Sequence, residues 1–70
     1  MTGRTDVIIS DTGSLVVFEL LTAEAFAWVD EHVSDDRLML GRGLAVEPRY
    51  AGALAAGMLD DGLIVEAVRS

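Results

Sequence analysis

The absence of cysteine from a chain of 70 residues limits its fold more than any other feature of the sequence. A chain this short buries only about 60% of the surface that its unfolded form exposes. Many small domains compensate with disulfides or with thiolate metal sites, and neither can form here. Apolar packing or a second copy of the chain must therefore supply the stability. Because 51% of the residues are hydrophobic, we predict one domain with one core over residues 1–70.

The chain is strongly acidic, with twelve Asp and Glu residues, five arginines, no lysine and a formal net charge of -7. Such a charge repels nucleic acid and anionic membranes and favours basic partners. The same acidity would also keep a small hydrophobic protein in solution, so the charge alone leaves both interpretations open. Residues 1–6 contain no long apolar run, and the later runs fall short of the roughly 20 residues that span a bilayer. We expect a cytoplasmic protein that contacts neither membranes nor nucleic acid directly.

The first half of the chain predicts a β-hairpin followed by a helix. Two β-branched runs, residues 6–10 and 14–20, flank the turn sequence Asp11-Thr12-Gly13. Thr22 is suited to cap a helix that has Glu24 in its first turn. The i, i+3, i+7 spacing predicts a buried stripe. Its members are Phe26, Val29 and Val33, with Ala25 beside them, and the helix should end near Ser34-Asp35-Asp36.

The second half predicts a short strand, a second helix and a last strand. Residues 37–40 and 44–46 flank Gly41-Arg42-Gly43, which favours either a bulged strand or two pieces joined by a glycine bend, and we expect one irregular third strand. Pro48 suits the first turn of a helix and Gly62 its end, and residues 63–68 read as a strand. Ala51, Leu54, Ala55 and Met58 form the apolar stripe of this helix. The predicted fold is α+β, with a mixed sheet of about four strands, the order ββαβαβ and both helices on one face.

Catalytic groups are scarce. Asp11-Thr12-Gly13-Ser14 follows an apolar strand and resembles the signature of aspartic proteases, in which two aspartates activate a water. The segment from Asp11 to Gly41 already contains a predicted helix and leaves no room for a flap, so we interpret Asp11 as a turn residue. His32 is the only histidine, too few for a histidine-based metal site, and one histidine with scattered serines does not imply a Ser-His-Asp arrangement. We therefore predict a non-enzymatic protein without metal or cofactor.

Acidic residues are concentrated on and after the first helix. Glu24, Trp28 and Glu31 share a face at i, i+4 and i+7, which differs from the Phe26–Val33 stripe. Trp28 is then either partly exposed among carboxylates, as an aromatic anchor for an arginine-rich surface, or folded over the rim of the core. Four small residues lie on neighbouring faces of the second helix and favour close packing or a dimer contact. They are Gly52, Ala53, Ala56 and Gly57.

Segments spread over most of the chain resemble small proteins of phages, prophages and other bacterial mobile elements. Those segments are Gly13-Ser14, Trp28-Val29-Asp30-Glu31-His32, residues 44–50 and residues 58–63, and the strongest are Val46-Glu47-Pro48-Arg49-Tyr50 and Asp61-Gly62-Leu63. In size, acidity and lack of cysteine the chain is similar to anti-CRISPR inhibitors, which block CRISPR effectors by binding. That resemblance implies a basic partner, such as a CRISPR effector subunit.

The leading hypothesis is an inhibitor that mimics DNA with an acidic face, because a competitor of a duplex must hold several carboxylates on one rigid surface. The alternative is a homodimeric structural or regulatory accessory protein that pairs through its small-residue helix or a sheet edge. The predicted partner-binding residues are Glu24, Trp28, Glu31, Asp35 and Asp36, with a second cluster of Asp60, Asp61 or Glu66.

Overall fold

A computed structural model describes residues 4–33 and 37–68, and these ranges form an α+β fold. Within them lie two helices and one five-stranded mixed sheet. In chain order the elements are β1 (Val7–Asp11), β2 (Val16–Leu20), α1 (Ala23–His32), β3 (Leu38–Leu40), β4 (Gly43–Val46), α2 (Pro48–Asp60) and β5 (Val65–Val68). The predicted α+β class is confirmed, and the predicted order lacked one strand.

The first hairpin forms as predicted. Its antiparallel register pairs Val7 with Leu20 and Asp11 with Val16. Gly13 adopts a φ of +97° in the turn, a conformation that glycine adopts at little cost. The Gly13 N–H donates to Asp11 Oδ1 over 2.8 Å. Asp11 therefore shapes the turn with its carboxylate.

The expectation of one irregular third strand was wrong, because residues 38–46 form a second hairpin. Leu40 pairs with Gly43 across a two-residue turn in an antiparallel register. Gly41, the first turn residue, has a φ of +63°, as a type II′ hairpin turn requires. The Gly41-Arg42-Gly43 sequence thus reverses the chain. A bulge would have continued the strand in one direction.

The strands lie in the order β3-β4-β2-β1-β5. Neighbours are antiparallel except β1 and β5, which are parallel. Because α2 connects β4 to β5, it carries the chain over β2 and β1 to the far edge of the sheet. This crossover places the end of α2 next to the start of β1, where Asp6 N–H donates to Ile64 O over 2.8 Å.

The core lies on one face of the sheet, and residues of both helices join it. The large side chains that are fully buried come from three strands and both helices. They are Val7, Phe18, Leu20, Val29, Leu44 and Met58. Phe26, predicted to be buried, is 39% exposed, whereas Trp28 is only 9% exposed. The buried face of α1 instead follows Ala25, Trp28 and Val29 at i, i+3 and i+4, and the small alanine hid this pattern in the sequence.

Local signals fix the starts of both helices and the end of α2 as predicted, whereas α1 ends at His32, before the predicted Ser34-Asp35-Asp36. Thr22 Oγ1 accepts from Ala25 N–H at the start of α1, and Pro48 occupies the first turn of α2. After α2, Gly62 has a φ of +92°, and the N–H groups of Gly62 and Leu63 donate to Leu59 O and Met58 O. These two bonds form a Schellman motif. Neither described helix is long and apolar enough to cross a membrane.

Candidate functional site

Trp28 joins the two helices at their C-terminal ends. Its indole Nε1 donates to Asp61 Oδ2 over 2.6 Å. A Cβ on Gly57 would lie 3.2 Å from Trp28 Cζ2, so the bare glycine backbone lets the ring approach α2 closely. At this position the predicted small-residue face of α2 serves internal packing.

His32 completes this junction. Its ring stacks on that of Trp28, with centroids 4.2 Å apart and an interplanar angle of 16°. His32 Nδ1 donates to the Trp28 carbonyl over 2.8 Å, since a carbonyl oxygen can only accept. Its Nε2 lies 3.5 Å from Asp61 Oδ2. The only histidine therefore faces the Trp28–Asp61 pair.

A shallow depression of about 350 Å³ lies beside this junction, and we call it the acidic groove. Glu24 and Glu31 border it along one flank of α1, and Trp28 separates it from a larger groove between the helices. Both glutamates are exposed. The residues that line it are Asp6, Glu24, Ala27, Trp28, Glu31, Asp61, Gly62 and Leu63. Four carboxylates thus surround one groove, and no arginine that the structure describes lines it.

Asp6 lines the acidic groove at the place where β1, α1 and β5 meet. Its Oδ1 accepts from Thr22 Oγ1 over 2.6 Å, and its Oδ2 accepts from Ile64 N–H over 2.8 Å. The bonds from Ile64 and Thr22, with the positive charge of Arg4, hold the pKa of Asp6 below its usual value, although desolvation opposes this. Thr22 in turn caps α1. One carboxylate therefore ties the cap of α1 to the last strand.

The structure brings together Glu24, Trp28, Glu31 and Asp61, four of the predicted partner-binding residues. Of the two interpretations that the sequence left open for Trp28, the structure agrees with the one in which the ring covers the rim of the core, since the residue is 9% exposed and its Nε1 donates to Asp61. The three residues of the predicted second cluster do not lie together. Asp61 lines the acidic groove, whereas Asp60 is exposed and does not line it. Glu66 lies on the sheet, where its carboxylate accepts from Thr5 Oγ1. Asp35 and Asp36 lie outside the described residues.

Sequence reasoning missed Asp6 as a member of the site. Its contribution depends on the crossover that brings β5 beside β1, and no local pattern in the sequence indicates that pairing. The signal that was available is the position of Asp6 directly before a strand, which says nothing of its distance from the start of α1. Only the tertiary fold makes that proximity visible.

Comparison of the chain with protein-family models, with curated proteins and with solved structures gave no match. Among residues 4–33 and 37–68, no group of three or more histidine or carboxylate side chains is arranged to hold a metal ion. The acidic groove offers spaced carboxylates beside an aromatic wall, an arrangement that is suited to cationic groups.

Asp6→Asn should lower the free energy of unfolding at neutral pH by about 1–3 kcal/mol, because the amide cannot accept both hydrogen bonds. Because folding lowers the pKa of Asp6, its carboxylate stabilises the fold fully above the pKa of the unfolded chain, about 3.9. This stabilisation is lost as the pH falls through the lower pKa of the folded protein. The deficit of the variant should therefore shrink in acid. Urea unfolding at neutral and acidic pH measures both effects. Asp60→Asn, at an exposed acid outside the groove, is the control, and an equal deficit in both variants would contradict the assignment.

Proposed function

We propose that this chain is a non-enzymatic phage or mobile-element inhibitor, similar to anti-CRISPR proteins, that acts in the bacterial cytoplasm. It binds a basic surface of a nucleic-acid-handling effector, such as a CRISPR effector subunit, in place of DNA. The observation that carries this proposal is the acidic groove, where four carboxylates converge and no described arginine is among the lining residues.

The carboxylates are held on rigid elements, as a mimic of phosphates requires. Glu24 and Glu31 are seven residues apart on α1, about 10.5 Å along the helix axis at about 1.5 Å per residue. Asp61 is fixed by the Trp28 indole, and Asp6 by two hydrogen bonds. The fold thus sets the backbone positions of Glu24 and Glu31 and holds the carboxylates of Asp6 and Asp61, so binding requires little ordering of the inhibitor backbone.

The sequence left open whether Trp28 is an exposed anchor or part of the core rim, and the proposal uses the second of these. With 9% of its surface exposed, Trp28 forms a wall of the groove and does not project into a partner. Asp30 is also partly neutralised, because Arg37 Nη2 lies 2.6 Å from its Oδ1. The contact energy is therefore assigned to Glu24 and Glu31, with Asp35 and Asp36 retained from the sequence as further contacts.

The double reversal E24K/E31K should weaken binding to the effector by about 100-fold, since close charge pairs couple by about 1.5 kcal/mol or more each. Raising the salt concentration from about 0.1 M to about 1 M should also weaken the wild-type complex, because the Debye length falls from about 10 Å to about 3 Å.

The partner is first captured from host lysate and identified by mass spectrometry. Affinity and target-DNA cleavage are then measured with the purified, guide-loaded effector.

The matched control is D60K/E66K, which makes the same change of net charge outside the acidic groove. It should lose far less affinity than E24K/E31K. Circular dichroism checks that both variants fold. If the folded E24K/E31K protein binds and inhibits as well as the wild type at both salt concentrations, the DNA-mimic proposal is rejected.

A further inference from the structure

The groove between the two helices is larger than the acidic groove. Its floor is β4, and its walls are the C-terminal end of α1 and one side of α2. Its volume is about 930 Å³, within the range of about 300–1,000 Å³ that is usual for small-molecule sites. Much of the lining is apolar and includes Val33, Leu44, Val46 and Leu54. We call this cavity the interhelical groove.

The charges that line the interhelical groove differ from those of the acidic groove. Arg37 and Arg49 both line it, and Glu47 is the one carboxylate among its described lining residues. The acidic groove has four carboxylates and no described arginine. The interhelical groove is therefore suited to an anion, although the chain has a net charge of -7.

Both arginines lie at the end of the interhelical groove where α2 begins. The antiparallel register that pairs Leu38 with Ala45 continues to Arg37 and Val46, so Arg37 lies close to the start of α2. Arg49 is the second residue of that helix. The groove therefore has one cationic end.

Arg49 has hydrogen-bond donors to offer an anion. Its Nε donates to Glu47 Oε1 over 3.0 Å, and its guanidinium carbon lies 4.9 Å from the centre of the Tyr50 ring. Its two Nη groups have no partner within residues 4–33 and 37–68, and 72% of the side chain is exposed. A carboxylate can therefore accept from both of them. Arg37 is held by Asp30 and adds a positive charge in a set position.

The opposite end of the interhelical groove is closed. Trp28 packs on α2 at Gly57 and donates to Asp61, which joins the two helices there. From Arg49 to Gly57 the groove follows eight residues of α2, about 12 Å at about 1.5 Å per residue. A partner helix laid along the groove would meet this closed end, whereas a small ligand fits within its length.

We propose that the interhelical groove binds a small amphiphilic anion, with its carboxylate at Arg49 and its apolar body between α1 and α2. The two arginines select the anion, and the apolar lining removes the rest of the ligand from water. The site uses neither glutamate of the acidic groove, so the proposal does not depend on the function proposed above.

Octanoate is the probe, and octan-1-ol and acetate are its matched controls. Octan-1-ol keeps the chain without the charge, and acetate keeps the charge without the chain. Titrations are followed by the fluorescence of Trp28, the only tryptophan, and by amide NMR shifts. Octanoate should bind in the millimolar range or more tightly, with shifts at Val46, Tyr50 and Leu54, and both controls should bind more weakly. Absence of octanoate binding, equal binding of either control, or shifts confined to other surfaces overturns the proposal.

Arg49→Gln should weaken octanoate binding about tenfold, because hydrogen bonds to a charged group are lost, and should leave octan-1-ol binding unchanged. Arg42→Gln is the matched control, since Arg42 lies in the β3–β4 turn and does not line the groove. Equal losses in R49Q and R42Q overturn the proposal.

Glu47→Gln should have the opposite effect and tighten octanoate binding, because it removes the carboxylate that competes for Arg49. Glu47 makes no side-chain cap bond, so α2 should keep its start. Asp60→Asn makes the same change of net charge outside the groove lining and is the control. If E47Q binds octanoate no more tightly than D60N does, the assignment of the carboxylate to Arg49 is wrong.

Ala53→Phe tests the apolar part of the site without a change of charge. Ala53 is exposed and lines the groove, so a phenyl ring there should fill the space and abolish octanoate binding. Ala56→Phe is the matched control, at an exposed alanine of the same helix outside the lining. Circular dichroism checks that both variants fold. Octanoate binding by folded A53F at the wild-type affinity contradicts the proposal.

Discussion

Trp28→Ala is expected to lower the free energy of unfolding by about 3–5 kcal/mol, the usual cost of removing a large aromatic side chain from a core. The ring is 9% exposed, stacks on His32 and donates to Asp61. Its loss would open a cavity between α1 and α2 and remove the bond that fixes the end of α2. For a chain of 70 residues this is a large part of the total stability.

Phe26→Ala is the matched control, because it removes a ring from the same helix at a position that is 39% exposed. Its cost should be clearly smaller. Trp28→Phe should fall between the two, since it keeps an aromatic ring and loses the bond to Asp61. Urea unfolding followed by circular dichroism ranks the three variants. A cost for F26A equal to or above that of W28A would show that the sequence-based stripe of Phe26, Val29 and Val33 was the correct one.

The sequence predicted the elements whose signals are local. Thr22 capped α1 as expected, Gly62 ended α2, and Asp11-Thr12-Gly13 turned the first hairpin. Each of these features depends on a few neighbouring residues and their backbone preferences. They can therefore be predicted from the local sequence, although Thr22 also donates to the distant Asp6 in the fold.

The strand order and the second hairpin were beyond such reasoning. β3 has only three residues, which is too few to show an alternation of apolar and polar side chains. The parallel pairing of β5 with β1 joins residues far apart in sequence and depends on where α2 packs. The sequence contains the apolar runs but does not specify which neighbour each strand takes.

The acidic groove was predictable in part. Helical periodicity alone placed Glu24 and Glu31 on one flank of α1, and the structure has both beside the groove. Asp6 and Asp61 reach the same groove only through tertiary packing. The periodicity left the exposure of Trp28 open, because its burial depends on the close approach of α2, which Gly57 permits.

Gly57→Val is expected to destabilise the fold by about 1–3 kcal/mol, the usual cost of overpacking. Its Cβ would lie 3.2 Å from Trp28 Cζ2 and 3.6 Å from Cη2, before the valine methyl groups are added. The ring has little freedom to retreat, since Asp61 and His32 hold it. Gly52→Val is the control on the same helix, because nothing lies within 4 Å of its new Cβ. That variant should be neutral or slightly stabilising.

A double-mutant cycle with Trp28→Ala separates the clash from the helix propensity of valine. Once the indole is removed, Gly57→Val should cost little, because its side chain enters the space that the ring has left. The coupling energy between the two positions should therefore be about 1–3 kcal/mol, within the range of about 0.5–3 kcal/mol found for residues in contact. Fluorescence of Trp28 in the single variant G57V should also change as the ring is displaced. Additive costs in the cycle, or a G57V protein as stable as G52V, would mean that Trp28 does not pack on α2 at this glycine.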